Sequence, residues 1–412
     1  MKVQVVASSP PISRGDVEVG ALLDALTAAP RDEPYGDAAL ALCGAVARKL
    51  LDDPRARRHP ALTALGFFAR PSELACLRHE LAATAPPDMV RVPHGLVFHV
   101  PPATVDTVFV FSWLWATLAG NASIIRLSSR TSPVVTLLCE LVADALAASG
   151  PGVAPSAFVR YQHDAAITAA ISARCALRVI WGGDATIATI RAAPLPPTAR
   201  ELTFADRRGM VALGAAAVVA LDDAGLRALA EAMATDLFEL DQRACSSPRV
   251  ALWLGDAAAC AAARERLWPE VATVADARGV RPPPAARLAR EAFVHRAILD
   301  GPVVGRADYG AALTVLAVDR LPVALDDHPG GGLLLEAAAP SLDVLERWVS
   351  RKDQTLAHFG IPRVELAGLV ARLAGRGLDR VVPVGRALAY GRFWDGDDLA
   401  TAFVRCVHLV GP

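Results

Sequence analysis

The feature of the sequence that most constrains the fold is a regular alternation of strand-like and helix-like segments from residue 95 onwards. Short apolar runs rich in β-branched and aromatic residues are each followed by a longer segment with helical periodicity and capping residues. The four runs predicted to be strands are GLVFHV, ASIIRLS, FVRYQ and ALRVIWGG. Strands that alternate with helices in this way predict an α/β fold with a doubly wound parallel sheet.

The helices between these strands are predicted from signals at their ends, such as a glycine after the last turn or a serine-proline pair before the first. They are expected over 104–119, from Pro133, over 164–175 and from Asp184. The first 90 residues are alanine-rich and are also predicted to be helical.

Composition limits the possible partners. The 412 residues are 53% hydrophobic, which is enough for a large core and two domains. Lys plus Arg number 42 against 43 Asp plus Glu, so no nucleic acid or anionic membrane surface is expected as a partner. The most apolar stretch, from Thr107, is shorter than the roughly 20 residues of a membrane span, and no signal-type apolar core is visible at the N-terminus. We therefore expect a cytoplasmic protein without a membrane span.

The seven cysteines show no C-x-x-C pair and no spacing typical of zinc, so no metal site is predicted. Cys245 stands out because its segment, FELDQRACSSPRV, is polar, with Arg243 and Arg249 on either side. It follows an Asp-capped helical pattern and precedes the strand-like RVALWLG, which predicts a loop position. The residues alone leave open whether Cys245 is a nucleophile, its thiolate favoured by an arginine, or a small buried residue.

Doubly wound sheets bind ligands beyond the carboxyl ends of their strands. The segments at those ends are HVPPAT, RLSSRTSP, YQHD and WGGD. RLSSR offers a cation and hydroxyl groups, while GGD lets the backbone approach a ligand and leads into a helix N-terminus that favours anions. Each segment taken alone is a weak signal, because glycines at a strand end more often form structural turns and no G-x-G-x-x-G motif accompanies them.

The order of these pieces resembles the aldehyde dehydrogenase superfamily, and within it the LuxC-type long-chain fatty acyl-CoA reductases, over residues 90–412. The segments that carry the resemblance are GLVFHVPPAT, LAGNASIIRLSS, VIWGGD, DQRACSSPRV and VVPVGRALAYGRFWDGDDLATAFVRCVHLV. The resemblance implies an aldehyde dehydrogenase-like α/β fold with a Rossmann-type cofactor domain, an α/β catalytic domain and a small oligomerisation element.

The resemblance also suggests domain boundaries. We expect a helical segment over 1–90 that packs on the cofactor domain, an NADP-binding domain over 91–209 and a catalytic domain over 210–378. The remaining segment, 379–412, is expected to return to the cofactor domain and to serve oligomerisation. A homo-oligomer is expected.

In this family pattern Cys245 occupies the position of the nucleophile that carries the acyl group, in a loop at an interdomain cleft. Aldehyde dehydrogenases that make acids have a water-activating glutamate in an ELGG segment, but the matching segment here, LTFADRRG, has Thr203 or Phe204 at that place. Glu201 is close in sequence, although strand alternation makes its use doubtful. Without this base an acyl-Cys245 intermediate survives until hydride arrives, so the resemblance implies reduction of a thioester to an aldehyde.

The superfamily's oxyanion-binding asparagine has no match, because PPATVD places Thr104 at that position. Thr104 and the N–H of Cys245 are the predicted oxyanion donors. The missing asparagine leaves open a catalytically weakened reductase-like subunit that acts as a partner scaffold, and a non-redox cysteine acyltransferase is a further alternative.

The cofactor predicted from the resemblance is NADPH. Where NAD-preferring members have a ribose-binding lysine and, three residues later, an acid, this chain has Arg126 and Ser129. Arg126, Ser128 and Arg130 leave a neutral-to-positive site suited to a 2'-phosphate, unless they are ordinary surface residues. The full set of predicted cofactor residues is Pro101, Pro102, Arg126, Ser128, Ser129, Gly182, Gly183 and Asp184.

The expected substrate is an acyl thioester delivered by CoA, a carrier protein or an acyl-transferring partner enzyme, with the chain length open. Two further segments are of interest. SRKDQTLAHFG contains Gln354, Thr355 and His358, which are predicted either to line the cleft or to be structural. DDHPGGG at 326–332 is predicted to be a flexible turn, with a substrate-gating loop as the alternative.

Overall fold

The computed structural model describes residues 1–9, 15–28, 32–150, 152–319, 325 and 327–411. The chain divides into two compact units, the first formed by Met1–Ala205 with Tyr390–Pro412 and the second by Asp206–Ala389. Each unit is built on a seven-stranded sheet.

The strands are β1 (Lys2–Ser9), β2 (Gly15–Glu18), β3 (Met89–Pro93), β4 (Leu96–Val100), β5 (Ala122–Leu127), β6 (Ser156–Arg160), β7 (Leu177–Trp181), β8 (Arg200–Phe204), β9 (Arg208–Gly214), β10 (Pro248–Leu254), β11 (Val303–Tyr309), β12 (Leu313–Val318), β13 (Leu333–Ala339), β14 (Asp353–Phe359), β15 (Arg380–Pro383), β16 (Phe393–Trp394), β17 (Asp397–Asp398) and β18 (Val404–His408).

The α-helices are α1 (Val19–Ala28), α2 (Asp37–Asp52), α3 (Pro60–Phe68), α4 (Pro71–Ala83), α5 (Val108–Leu118), α6 (Pro133–Ala147), α7 (Ala165–Ser172), α8 (Asp184–Arg191), α9 (Ala215–Val219), α10 (Asp223–Phe238), α11 (Ala257–Ala277), α12 (Pro284–Leu299), α13 (Leu345–Trp348), α14 (Arg363–Leu373) and α15 (Leu399–Ala402). Short 3-10 turns lie at 56–58, 239–242 and 342–344. None of the described helices combines the length and apolar character needed to cross a bilayer.

The sheet of the first unit has the order β2-β1-β6-β5-β4-β7-β8. The five strands from β6 to β8 in this order are parallel to one another. Side chains that alternate along β4 enter different cores, since Val97 belongs to one hydrophobic cluster and Phe98 to another. Both faces of the sheet are therefore covered, which confirms the predicted doubly wound α/β architecture.

Helix starts follow the predicted capping chemistry. The Ser132 hydroxyl accepts a hydrogen bond from the backbone N–H of Val135 at 3.0 Å, with Pro133 in the first turn of α6. α5 begins at Val108 rather than at Thr104, so the segment after β4 is a loop of several residues. That loop places residues 101–104 at the carboxyl end of β4.

The prediction that residues 1–90 form a helical segment is wrong for their first part. β1 and β2 are strands, and β1 extends the first sheet by antiparallel pairing with β6. The reason is a period-two pattern at the start of KVQVVASS, in which Val3 and Val5 are buried in one hydrophobic cluster. A register shift after Val5 places the buried Ala7 in the other cluster. The helices of this segment, α1 to α4, follow the strands.

The sheet of the second unit has the order β11-β12-β13-β10-β9-β14-β15. β10 lies in the middle, parallel to both β9 and β13, and alternate side chains such as Leu252 and Trp253 enter two separate clusters. The loop that precedes β10 is therefore anchored by a strand buried on both faces.

The compact units differ from the expected boundaries at two places. The second unit starts at Asp206 instead of residue 210, because β9 begins at Arg208. It extends to Ala389 instead of residue 378, because β15 pairs with β14. Only the segment from Tyr390 onwards belongs to the first unit, where β18 pairs with β3.

Candidate active site

A cleft of about 350 Å³ lies at the carboxyl ends of the parallel strands of the first unit. The chain passes from β4 to β5 and β6 on one side and then crosses to β7 on the other side of β4, so the strand order reverses beside β4. Such a reversal opens a crevice for ligands. The cleft is lined by Val100, Pro101, Pro102, Ala103, Thr104, Arg126, Leu127, Ser128, Ser129, Arg130, His163, Trp181, Gly182, Gly183 and Thr186.

The structure brings most of the predicted cofactor residues together in this one cleft. Pro101 and Pro102 follow β4, Ser128 and Ser129 follow β5, and the glycine pair follows β7. Asp184 is an exception, since it is the first residue of α8 and does not line the cleft. Its assignment to a cofactor remains a prediction.

Arg126 is held in place by two aromatic side chains that follow β6. Its guanidinium carbon lies 4.8 Å from the ring centre of Tyr161, and its Nη2 lies 3.2 Å from Nδ1 of His163. Cation–π contact and a hydrogen bond together restrict a side chain that is otherwise flexible. The arginine is thus a fixed positive group at the cleft.

The loop after β5 is ordered by its own hydroxyl groups. The Ser128 hydroxyl accepts a hydrogen bond from the backbone N–H of Arg130 at 3.1 Å. Ser132, which caps α6, donates its hydroxyl to Asp106 at 2.6 Å. Ser129 is exposed at the centre of this loop, so its side chain is free to meet a ligand.

The loop after β7 provides close backbone approach. Gly183 is the N-cap of α8, with φ −65° and ψ 159°, and the backbone N–H of Gly182 donates to the carbonyl of Phe204 at 3.1 Å. Trp181 beneath them stacks on Phe204 with a ring separation of 3.8 Å. The cleft therefore has an aromatic floor beside a helix N-terminus that favours anions.

The charge of the cleft suits a phosphorylated ligand. Its charged or titratable lining residues are Arg126, Arg130 and His163, and among the described residues that line it none is acidic. Thr104, the predicted oxyanion donor, lines the same cleft and is exposed.

Sequence reasoning included the YQHD segment but did not assign Tyr161 and His163 to the site. Their position just after a parallel strand was the available signal, because the carboxyl ends of parallel strands meet at one edge of a sheet. The contact of both residues with Arg126 depends on the pairing of β5 with β6.

Cys245 lies, as predicted, in a loop between α10 and β10. Asp222 caps α10 by accepting from the N–H of Gly225 at 2.8 Å. Cys245 is half-buried in the turn of residues 244–247, which we call the cysteine turn. A hydrogen bond from the N–H of Ser247 to the carbonyl of Ala244, at 3.1 Å, closes this turn.

The chain enters this turn through a rare backbone conformation. Leu240, Asp241 and Gln242 all have positive φ, at 60°, 53° and 59°. A left-handed conformation costs roughly 1–2 kcal/mol for each residue with a side chain. Three in succession persist only where tertiary contacts hold them.

The other cysteines differ from Cys245 in their surroundings. Four are buried and two, Cys76 and Cys406, are exposed. Burial raises the pKa of Cys139 to about 11 and that of Cys175 to about 12, so both thiols stay protonated near neutral pH. No group of metal ligands occurs among the residues that the structure describes.

The acids in and next to the segment that replaces ELGG are paired, and Asp206 within it lies 3.7 Å from Nζ of Lys352. Phe204 is buried, and Glu201 on the same strand forms an ion pair with Arg178 at 2.5 Å and with Arg191 at 2.6 Å. Glu201 is therefore a partner of two arginines.

Two other predicted segments have defined positions. Gln354 and Thr355 are fully buried in β14, while His358 is half-buried.

The prediction of a flexible turn for DDHPGGG does not fit its described part, 327–332, because Gly331 and Gly332 donate hydrogen bonds to Asp241 and Gln242 beside the cysteine turn. These bonds order the glycines, and Asp326 lies outside the described residues.

Residues 80–277 match the family model of the acyl-CoA reductases named LuxC. No curated protein matches the sequence.

Solved structures with the same fold include three oxidoreductases. An oxidoreductase from Marinobacter aquaeolei has a TM-score of 0.66 and 13% identity, with 99% of this chain and 94% of that chain covered. A mutant of aldehyde dehydrogenase C from Pseudomonas syringae, in complex with NAD+ and octanal, has a TM-score of 0.61 and 15% identity, with 100% and 93% covered. A Mycobacterium tuberculosis aldehyde dehydrogenase in complex with NAD+ has a TM-score of 0.62 and 14% identity, with 96% and 89% covered.

At these identities the structural similarity establishes the fold alone, and the family match adds a resemblance over residues 80–277. Residues 80–277 are therefore similar to the acyl-CoA reductase (LuxC) family, in a chain with the fold of the aldehyde dehydrogenases.

Proposed function

We propose that this protein reduces an acyl thioester to an aldehyde, with Cys245 as the nucleophile and NADPH as the cofactor. The observation that carries the proposal is the convergence of Arg126, Ser128 and Gly182 on one cationic cleft, in a chain whose family segment includes an ordered loop with a half-buried cysteine. The acyl donor is proposed to be CoA, a carrier protein or an acyl-transferring partner.

The residues of the cleft fit a dinucleotide phosphate in their chemistry. Gly182 and Gly183 allow the backbone to approach a pyrophosphate, and Arg126 offers a fixed guanidinium to a 2'-phosphate. Pro101 and Pro102 are proposed to flank the bound nucleotide. The cofactor, when bound, supplies the hydride that reduces the acyl group.

Cys245 is proposed to act as a thiolate that attacks the carbonyl carbon of the incoming thioester. The bond from that carbon to the donor's sulfur breaks, and the released thiolate takes a proton from solvent. After reduction, the oxyanion on the former carbonyl collapses and the bond to the Cys245 sulfur breaks. The products are an aldehyde and the regenerated thiolate.

Two features favour aldehyde release over hydrolysis to an acid. Thr203 and Phe204 stand where acid-forming aldehyde dehydrogenases are expected to have a glutamate, and Glu201 is paired with arginines. Both oxygens of this carboxylate accept hydrogen bonds from guanidinium groups, Oε2 from Arg178 and Oε1 from Arg191, so both are already engaged. The acyl-Cys245 intermediate therefore has no nearby group on this strand to activate water.

The function is tested with the purified protein, NADPH or NADH and a panel of acyl-CoA and acyl-carrier thioesters. We expect nicotinamide absorbance to fall with time and an aldehyde to accumulate in equal amount. Covalent acylation of the protein without nicotinamide oxidation would instead indicate a non-redox cysteine acyltransferase. If the protein shows no acylation and no nicotinamide oxidation, the result would favour a scaffold subunit that has lost its activity.

Replacing Thr104 by valine tests the proposed oxyanion donor. Thr104→Val keeps the shape of the side chain and removes its hydroxyl, so we expect kcat to fall by about 100-fold with little change in KM, the size of effect seen for a lost oxyanion donor. Steady-state kinetics with one thioester measure both constants. A kcat equal to that of the unaltered protein would assign the oxyanion to other donors.

Replacing Ser129 by glutamate tests the cofactor preference. Ser129→Glu adds a carboxylate to an exposed loop position beside Arg126 and Arg130, where it repels a 2'-phosphate and can accept hydrogen bonds from the ribose hydroxyls of NADH. A single charge at such a site is worth on the order of 1 kcal/mol, so the NADPH-to-NADH ratio of kcat/KM should fall about tenfold.

Arg126→Ala is the companion variant. It should weaken the binding of NADPH more than the binding of NADH, because it removes the cation proposed to pair with the 2'-phosphate. Lys49→Ala is a matched control, since Lys49 is a cation of the same unit outside the cleft, paired with Asp144. An NADPH-to-NADH ratio that both loop variants leave unchanged would contradict the placement of the adenosine ribose at this loop.

A further inference from the structure

We propose that Gln242 is a positioning residue for Cys245, and that the glycine segment Gly330–Gly332 holds Gln242 in place. This proposal rests on the proposed role of Cys245 as the nucleophile. The Gln242 side chain is proposed to hold the cysteine turn in its conformation. The glycine segment, which is distant in sequence, is proposed to stabilise that conformation.

Both N–H groups and the oxygen of the Gln242 side-chain amide form hydrogen bonds. Its Nε2 donates to the carbonyl of Pro248 and to the carbonyl of Leu333, each at 2.7 Å, and its Oε1 accepts from the N–H of Gly332 at 3.0 Å. The side chain is 1% exposed. Because Gln242 precedes Cys245 and Pro248 follows it, the bond between them closes the loop that carries the thiol.

The glycine segment has the backbone freedom that this arrangement needs. All three glycines have positive φ, and a Cβ on Gly332 would lie 1.7 Å from the carbonyl oxygen of Ala312. A Cβ on Gly330 would lie 2.8 Å from the carbonyl oxygen of Asp241. Only glycine lets these backbone groups reach the left-handed stretch that leads into the cysteine turn.

The segment is fixed on its other side by a buried arginine. Arg290 of α12 donates from Nη1 to the carbonyl of Gly331 at 3.1 Å and from Nη2 to the carbonyl of Ala311 at 3.2 Å. The N–H of Gly331 in turn donates to the carbonyl of Asp241 at 3.0 Å. A continuous series of hydrogen bonds therefore runs from α12 to the left-handed residues before Cys245.

Gly209 of β9 lets the cysteine turn lie directly on the second sheet. A Cβ at this position would lie 2.2 Å from the carbonyl oxygen of Ser246. The turn is thus fixed between the strand beneath it and the amide of Gln242. Such packing sets the direction of the thiol, and a displacement of about 1 Å in a reacting group can lower turnover by about 100-fold.

The test uses alkylation of cysteines by iodoacetamide, which requires neither cofactor nor thioester. Cys76 and Cys406 are exposed and serve as internal references in the same molecule. Rates for each cysteine are read by peptide mass spectrometry. In Gln242→Leu the loop loses its closing hydrogen bonds, so we expect Cys245 to be alkylated about tenfold faster while the references keep their rates.

The turnover number kcat should fall in the same variant in which alkylation of Cys245 becomes faster. For Gln242→Leu we expect kcat for thioester reduction to fall by about 100-fold, with the KM for NADPH unchanged, because the thiol becomes more accessible but less well directed. Leu369→Ala is the control, since Leu369 is a fully buried residue of α14 in the same unit and its loss lowers stability by a cavity. That control should change neither the rate at Cys245 nor kcat by more than about twofold.

Gln242→Glu gives a second readout, which also decides the matter should Gln242→Leu fail to fold. A neutral carboxyl can accept from Gly332 and donate one hydrogen bond, whereas a carboxylate donates none and repels the two carbonyl oxygens. The ratio of the Cys245 alkylation rate in Gln242→Glu to that in the unaltered protein should therefore rise severalfold between pH about 5.5 and about 8.5, as the buried carboxyl ionises.

A ratio that does not change with pH, or a Gln242→Leu protein that alkylates Cys245 at the unaltered rate, would overturn the positioning role. Loss of reductase activity in the unaltered protein would count against the proposed function alone, since the alkylation rates do not depend on it. Faster alkylation of Cys245 in Gln242→Leu together with the pH-dependent ratio in Gln242→Glu would support the positioning role.

Discussion

Cys245→Ala is expected to abolish covalent acylation and aldehyde formation while the affinity for NADPH stays within about twofold of the unaltered value. The thiol is the proposed attacking group, and the cleft proposed for the cofactor is lined by residues of the first unit only. Acylation is measured by incubating the protein with a labelled thioester and locating the label by peptide mass spectrometry. NADPH affinity is measured by fluorescence titration.

Cys76→Ala is the matched control, because Cys76 is an exposed thiol on α4 beside Glu80, whose charge raises the pKa of that thiol. This control should keep full acylation and full turnover. Label that persists in Cys245→Ala at the level of the unaltered protein would show that another group accepts the acyl chain. Loss of NADPH binding in the same variant would mean that the substitution disturbs more than the nucleophile.

The largest effect on stability is expected from Arg178→Met. Arg178 of β7 is 2% exposed, and its guanidinium donates to the Glu201 carboxylate and to the carbonyls of Ile190 and Ala193. Methionine fills much of the same volume but removes all of these hydrogen bonds and leaves the Glu201 carboxylate with Arg191 as its remaining cation. Breaking a buried pair by removal of one partner costs about 3–5 kcal/mol, so the free energy of unfolding should fall by that amount.

Arg191→Met is the control for this measurement, because Arg191 binds the same carboxylate from an exposed position. An exposed pair is worth about 0–1 kcal/mol, so this variant should lose little stability. Urea denaturation followed by circular dichroism and by tryptophan fluorescence gives both values. Equal losses in the two variants would show that burial of Arg178 adds nothing to the strength of its interactions.

The pairing of Arg178 also bears on the cofactor cleft. β7 leads directly into Gly182 and Gly183, and the Arg178 guanidinium ties this strand to the end of α8 through the carbonyl of Ile190. The glycine loop therefore connects β7 and α8, and the Arg178 side chain links these two elements directly. We infer that the same contacts that stabilise the sheet keep the loop in a fixed conformation.

Several parts of the fold followed from local sequence patterns. The strands β4, β5 and β7 and the start of α6 were predicted within a few residues, because apolar periodicity and capping residues act over one or two turns of chain. The loop position of Cys245 followed from the helix before it and the strand after it.

Contacts between segments far apart in sequence could not be predicted in this way. β1 belongs to the first sheet because it pairs with β6, which lies more than a hundred residues later in the chain. No local sequence pattern identifies that partner strand. The left-handed residues before Cys245 are likewise stabilised by glycines about ninety residues further on.

The sequence by itself determined the alternation of strands and helices, the segments at the strand ends and the polar setting of Cys245, since each depends on neighbouring residues. Only the tertiary structure decided that Arg126 lies against Tyr161 and His163, and that Gln242 closes the cysteine turn against Gly332. The physical reason is that hydrogen bonds and ring contacts at these sites join side chains whose proximity depends on sheet pairing and on the packing of loops, which local periodicity does not encode.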